Sequence, residues 1–105
     1  MPSDYINIAR GRLAESLGVD LEPALLDLYT LLVLVKGDAV TLADVHDAWA
    51  VWRSRSNPAH RSIVPFDELT AEVQALDQPY ATVIAATAAR LGLACPECNE
   101  EDSDA

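Results

Sequence analysis

Between Pro23 and Lys36 the chain reads Pro-Ala-Leu-Leu-Asp-Leu-Tyr-Thr-Leu-Leu-Val-Leu-Val-Lys, with only Asp27 and Thr30 clearly polar from Leu25 to Val35. A helix that is apolar almost all round has to be buried on most sides. At ~1.5 Å per residue it spans roughly 20 Å, the width of a small core, whereas a membrane span needs ~20 apolar residues. The stretch therefore predicts the central helix of a globular domain, and the other segments must supply its cover.

Those segments read as helices. Ser3 or Asp4 caps a first helix to about Leu17, with Ile6, Ala9, Leu13 and Leu17 on one apolar stripe and Gly18 as the stop. Asp20 or Glu22 caps the central helix, Pro23 occupies its first turn, and Gly37 ends it after Lys36. Thr41-Leu-Ala-Asp44 has the form of a capping box opening a third helix, from Leu42 to about Ser54, with Leu42, Val45, Trp49 and Trp52 as its buried stripe. Residues 54–65 hold two prolines and no apolar period, so they form a loop. Pro65 to Leu69 reads as a tight turn burying Phe66 and Leu69, and Thr70 caps a short helix to Leu76. Pro79 restarts the chain as a last helix to about Leu91, with Leu76, Tyr80, Val83, Ile84, Thr87 and Leu91 on one face. No segment alternates with the period of a strand. The expectation is an all-α, compact single-domain bundle of four or five helices over residues 1–93, followed by a mobile acidic tail over 94–105.

Charge narrows the partners. Of 17 acids, five lie in the last nine residues, and without them 12 acids face seven bases. An acidic body with a more acidic tail repels nucleic-acid phosphates and anionic membranes, and favours basic partners. The plainer reading is that the acidity keeps the protein soluble. Residues 31–53 invite a helix-turn-helix reading, but Asp44 and Asp47 would stand where base contacts are made, so no DNA partner is expected. The start, Met-Pro-Ser-Asp, lacks a basic region and an apolar run, and two cysteines imply no disulfide framework. Both point to the cytoplasm, with no membrane partner.

From Val45 to Gly92 the order Val45-His-Asp-Ala-Trp49, Ser62-Ile-Val-Pro-Phe-Asp-Glu-Leu69 and Ala75-Leu-Asp77, closed by an amphipathic helix to Leu91-Gly92, resembles the RyR domain. That is the small helical repeat first noticed in ryanodine receptors and found also in bacterial proteins; here it covers residues 41–93. The chain as a whole resembles a family of small proteins from actinobacteria and their phages, which share the Lys-Gly end of the second helix, the Val-His-x-Ala-Trp helix and the Leu-Val-Pro-Phe segment. The RyR resemblance implies nucleotide binding in signalling or phage-conflict systems. Where that family carries a Gly-Trp-x-Tyr-Gly-like segment, this chain has Arg53 to His60 and no aromatic residue.

The candidate chemistry is sparse. Arg53, Arg55 and Arg61, with His60, fall within nine residues, and arginines on a loop after a helix can hold a phosphate bidentately; the alternative is a solvated loop paired with local carboxylates. Trp49 reads as core or as one wall of a pocket. His46 lies near Asp44 and Asp47, but no nucleophile is spaced to use it, and a surface or half-buried structural histidine is the simpler reading. Cys95-Pro-Glu-Cys98 has the spacing of half a zinc site without a second pair. The expectation is therefore no catalytic residue, no metal and no cofactor. The first reading is a small non-enzymatic interaction module of phage or actinobacterial derivation that binds a host or cellular protein. The alternative is a nucleotide- or anion-binding RyR-like module using Trp49, Arg53, Arg55, His60 and Arg61.

Overall fold

The computed structural model describes residues 4–92 and contains five α-helices and no strand among them. They are α1 (Tyr5–Leu17), α2 (Pro23–Val35), α3 (Leu42–Ser54), α4 (Ala71–Ala75) and α5 (Gln78–Arg90), with short 3-10 turns at Gly37–Ala39 and Phe66–Glu68. The expected tail over 94–105, with Cys95 and Cys98, lies outside the described residues.

Local chemistry accounts for most boundaries. The Asn7 N–H donates to Asp4 Oδ1 at 2.7 Å, and Gly18 closes α1 in the left-handed conformation at φ 68°. At the head of α3 the box closes in both directions. The Asp44 N–H donates to Thr41 Oγ1 at 3.1 Å and the Thr41 N–H to Asp44 Oδ2 at 2.9 Å. The second Asp44 oxygen lies 3.5 Å from Lys36 Nζ, which ties the end of α2 to the start of α3. Gly37 is buried at φ 59°, a conformation that suits glycine and lets the chain turn from α2 straight into α3. The Val73 N–H donates to Thr70 Oγ1 at 3.3 Å and starts α4.

The central position of α2 holds. It packs against α1, α3 and α5, and α1 also packs on α5. Leu25, Tyr29 and Val33 of α2 meet Leu13 of α1, Val45 and Ala48 of α3, and Ala81, Ile84 and Ala88 of α5. The alanines of α5 let it approach closely, and Arg90 Nη2 donates to Ser16 Oγ at 2.9 Å to pin its far end to α1. Buried Thr30 donates its hydroxyl to the Leu26 carbonyl at 2.8 Å, so its polar atom costs little within the helix.

The burial and capping expectations hold only in part. α2 is buried on most sides as expected, but one stripe stays open, with Leu31 50% and Val35 63% exposed. Ile6 is 37% exposed, whereas Ala9 and Leu13 of the same stripe are buried and Leu17 packs against the core. Leu76 is 68% exposed and leaves the face shared by Ile84 and Thr87, because the chain breaks between α4 and α5 and turns it outward. Glu22 sits at the N-cap of α2 without capping it, and instead accepts from Trp52 Nε1 at 2.8 Å. Phe66 and Leu69 are half-buried rather than core.

This burial pattern sets a contrast between two leucines. Leu13→Ala empties a fully buried site and should cost about 2–5 kcal/mol, while Leu31→Ala on the uncovered side of α2 should cost under about 1 kcal/mol. Denaturant titration of the two variants measures the difference.

Candidate functional site

The Ser54–Pro65 loop returns to the side of α3 that carries His46 and Trp49. The contact that holds it is His46 Nε2 to the Val64 carbonyl oxygen at 2.7 Å. A carbonyl only accepts, so Nε2 carries the proton. His46 is 3% exposed, which corrects the surface or half-buried reading, and its ring lies near-parallel to Trp49 with centroids 5.8 Å apart. Phe66 packs on the same imidazole, with centroids 6.1 Å apart. The acids named beside His46 are used elsewhere: Asp44 caps α3 and Asp47 is exposed.

The loop also carries His60, whose ring stands edge-on to Trp49 at 5.2 Å between centroids. Its Nδ1 accepts from the backbone N–H of Ser62 at 3.0 Å. A nitrogen that accepts carries no proton, so in this arrangement the ring N–H is Nε2. Across from these rings, Tyr29 of α2 and Tyr80 of α5 lie 5.5 Å apart. Between the two groups is a cavity of about 340 Å³, lined by Tyr29, His46, Trp49, His60, Asp77 and Tyr80. Val73 and the exposed Leu76 add an apolar wall. The volume is that of a small-molecule site, roughly 300–1,000 Å³.

Asp77 occupies the N-cap position of α5 without making a capping bond, and contributes its carboxyl to the cavity. Burial raises its pKa above the ordinary aspartate value, and the neighbouring His46 partly opposes that rise. Burial likewise pushes the Tyr29 hydroxyl well above the usual tyrosine range, helped by the charge of Asp77 and by Tyr80.

Of the five residues expected to form a site, Trp49 and His60 line this cavity together and the arginines do not. Arg53, in the last turn of α3, lays its guanidinium over the Trp52 ring at 4.6 Å, and its buried Nε has no hydrogen-bond partner. Arg55 borders a separate groove of about 500 Å³ on the other side of α3, with Arg10, Asp27, Leu31, Val51 and Trp52. There Arg10 Nε donates to Asp27 Oδ1 at 2.8 Å. Arg61 is exposed on the loop. Trp49 is half-buried, consistent with a pocket wall rather than a closed core.

Sequence reasoning missed Tyr29, Asp77 and Tyr80. The tyrosines share helical faces with core residues, and Asp77 beside Pro79 reads as a helix start. Only the crossing of α2, α3 and α5 brings them together. A signal was available in part: a tyrosine inside an otherwise aliphatic helix carries a hydroxyl that needs a polar environment. Among the described residues no group of three or more His, Cys, Asp or Glu side chains is placed to hold a metal ion. No helix among them is long and apolar enough to cross a membrane.

The molecule is thus an all-α helical bundle with an aromatic-lined cavity beside its central helix. The chain belongs to the family described as Domain of unknown function (DUF7701), which matches residues 4–89. No curated protein and no solved structure matches it.

The raised pKa values give two signed expectations. The folded state holds the Asp77 proton more tightly than the unfolded chain. Its contribution is therefore present below the unfolded pKa of about 3.9 and is lost as pH rises through the folded value. Asp77→Asn should melt above the native protein at neutral pH, with the gain vanishing below about pH 4. For Tyr29 the stabilising proton is present below the unfolded value of about 10 and is lost as pH rises above it. Tyr29→Phe should blunt the fall in melting temperature above about pH 10.

Proposed function

We propose that this protein is a non-enzymatic ligand-binding module and that the cavity beside Trp49 is its binding site. The observation that carries this reading is the convergence of Tyr29, Trp49 and Tyr80, with two histidines and a carboxyl, on one space from three helices and a loop. Rings of this kind offer broad apolar contact at low entropic cost, and the few polar groups among them orient a ligand. A carboxyl kept where burial disfavours its charge is also more characteristic of a site than of a core. Binding rather than catalysis is supported by how the imidazoles are used. His60 Nδ1 is occupied by a backbone N–H and His46 Nε2 by a backbone carbonyl, so both serve to shape the loop.

The cavity lies mostly within the RyR-like part of the chain, which fits the ligand-binding role that the resemblance implies. The same resemblances suggest an actinobacterial or phage origin. Placement of the arginines favours a ligand other than an anion at this position, since Arg53 and Arg55 border other features.

Docking of a protein partner is the second reading. It is favoured by the uncovered side of α2, where Leu31 and Val51 stand 50% and 56% exposed over the Arg55 groove. Single exposed apolar residues are common, so this reading ranks below the cavity.

Thermal melting against nucleotides, cyclic nucleotides and methylammonium compounds tests the proposal. One class should raise the melting temperature saturably. Ser62→Phe, which fills the cavity from the loop, should abolish that rise. A flat panel, together with a higher melting temperature for the filled variant, would identify the space as a packing defect and reject the site.

A further inference from the structure

The charges around the cavity are one-sided. Among the described residues lining it, Asp77 is the only carboxylate, and no lysine or arginine reaches it. The nearest arginine along α3, Arg53, is turned onto Trp52. An anion entering here would leave water to face a carboxylate and the electron-rich faces of aromatic rings. A cation would meet the opposite situation. The ring quadrupole attracts an ammonium or guanidinium within roughly 6 Å of a ring centroid, and the attraction grows as water is excluded. Tyr29 and Tyr80 pack on one another with centroids 5.5 Å apart, and the pair and Trp49 border the same space, so a small head seated there meets more than one ring. The carboxyl that burial leaves poorly solvated would regain a counter-charge. The net charge of -10 over the chain adds a long-range pull in the same direction.

We infer that the cavity binds an organic cation, with an ammonium or methylated ammonium head enclosed by Tyr29, Trp49 and Tyr80 and neutralised by Asp77. This inference rests on the reading of the cavity as a ligand site and specifies the chemistry of its ligand. It departs from the nucleotide expectation, whose arginines lie elsewhere. The same head occurs in free methylated amines and in a methylated lysine side chain.

Calorimetric titration of the full chain separates these cases. The probes are tetramethylammonium, choline, a peptide bearing trimethyl-lysine, AMP, and the neutral isostere of choline in which a tert-butyl group replaces the trimethylammonium. The cations should bind saturably and the neutral isostere at least about tenfold more weakly, because shape is retained and only charge is lost. Asp77→Asn should weaken choline binding by about tenfold while melting no lower than the native protein, which excludes misfolding as the cause. Tighter binding of choline points to a free metabolite, and tighter binding of the peptide to a modified protein. Equal binding of the neutral isostere, or unchanged choline binding by Asp77→Asn, would overturn the inference. Binding of AMP with none of the cations would overturn it as well, yet leave the cavity as a ligand site. Silence from every probe would remove both.

Discussion

An apolar helix in water is stable only where other segments cover it, and the whole molecule is arranged by how far that cover extends over α2. Leu25, Tyr29 and Val33 are enclosed by α1, α3 and α5, and this contact supplies most of the apolar burial available to so short a chain. Cover is incomplete on two sides. On one, Leu31 and Val35 face outward beside a shallow groove. On the other, Tyr29 borders the cavity together with residues of α3, α5 and the loop from Ser54 to Pro65.

That cavity persists because polar contacts support its edges. The His46 to Val64 bond holds the loop against α3, and the Ser62 to His60 bond sets the imidazole that stands on Trp49. Gln74 Nε2 donates to the carbonyls of Phe66 at 3.0 Å and Leu69 at 3.2 Å, which ties α4 to the turn that precedes it. Together they explain how a segment without apolar periodicity stays close enough to make a wall. Aromatic edges and stacks cannot collapse into the space as aliphatic chains would, since their planes are fixed by neighbours.

The charge distribution follows the same division. The ion pairs of Arg10 with Asp27 and of Lys36 with Asp44 join neighbouring segments near the surface, where each contributes little. The carboxyl of Asp77 faces the cavity, at a position where burial disfavours its charge. Stability alone does not account for its placement, since the N-cap it occupies is left without a capping bond.

The helices were legible in the residues because their determinants are local. Apolar periodicity, the Thr41–Asp44 box, Thr70 and the glycines at 18 and 37 act over one helical turn, and each works as its chemistry dictates. Side-chain burial at the margins was less legible. Ile6, Leu31 and Leu76 have the right spacing but lie where no partner helix reaches. The site was legible only in Trp49 and His60, and the arginines between them do not converge with the pair. Sequence alone therefore determines where helices start and stop and that α2 must be central. Tertiary structure decides that Tyr29, Asp77 and Tyr80 meet Trp49 and His60, because a cavity is set by the angles at which helices cross, and those angles depend on contacts among residues far apart in the chain.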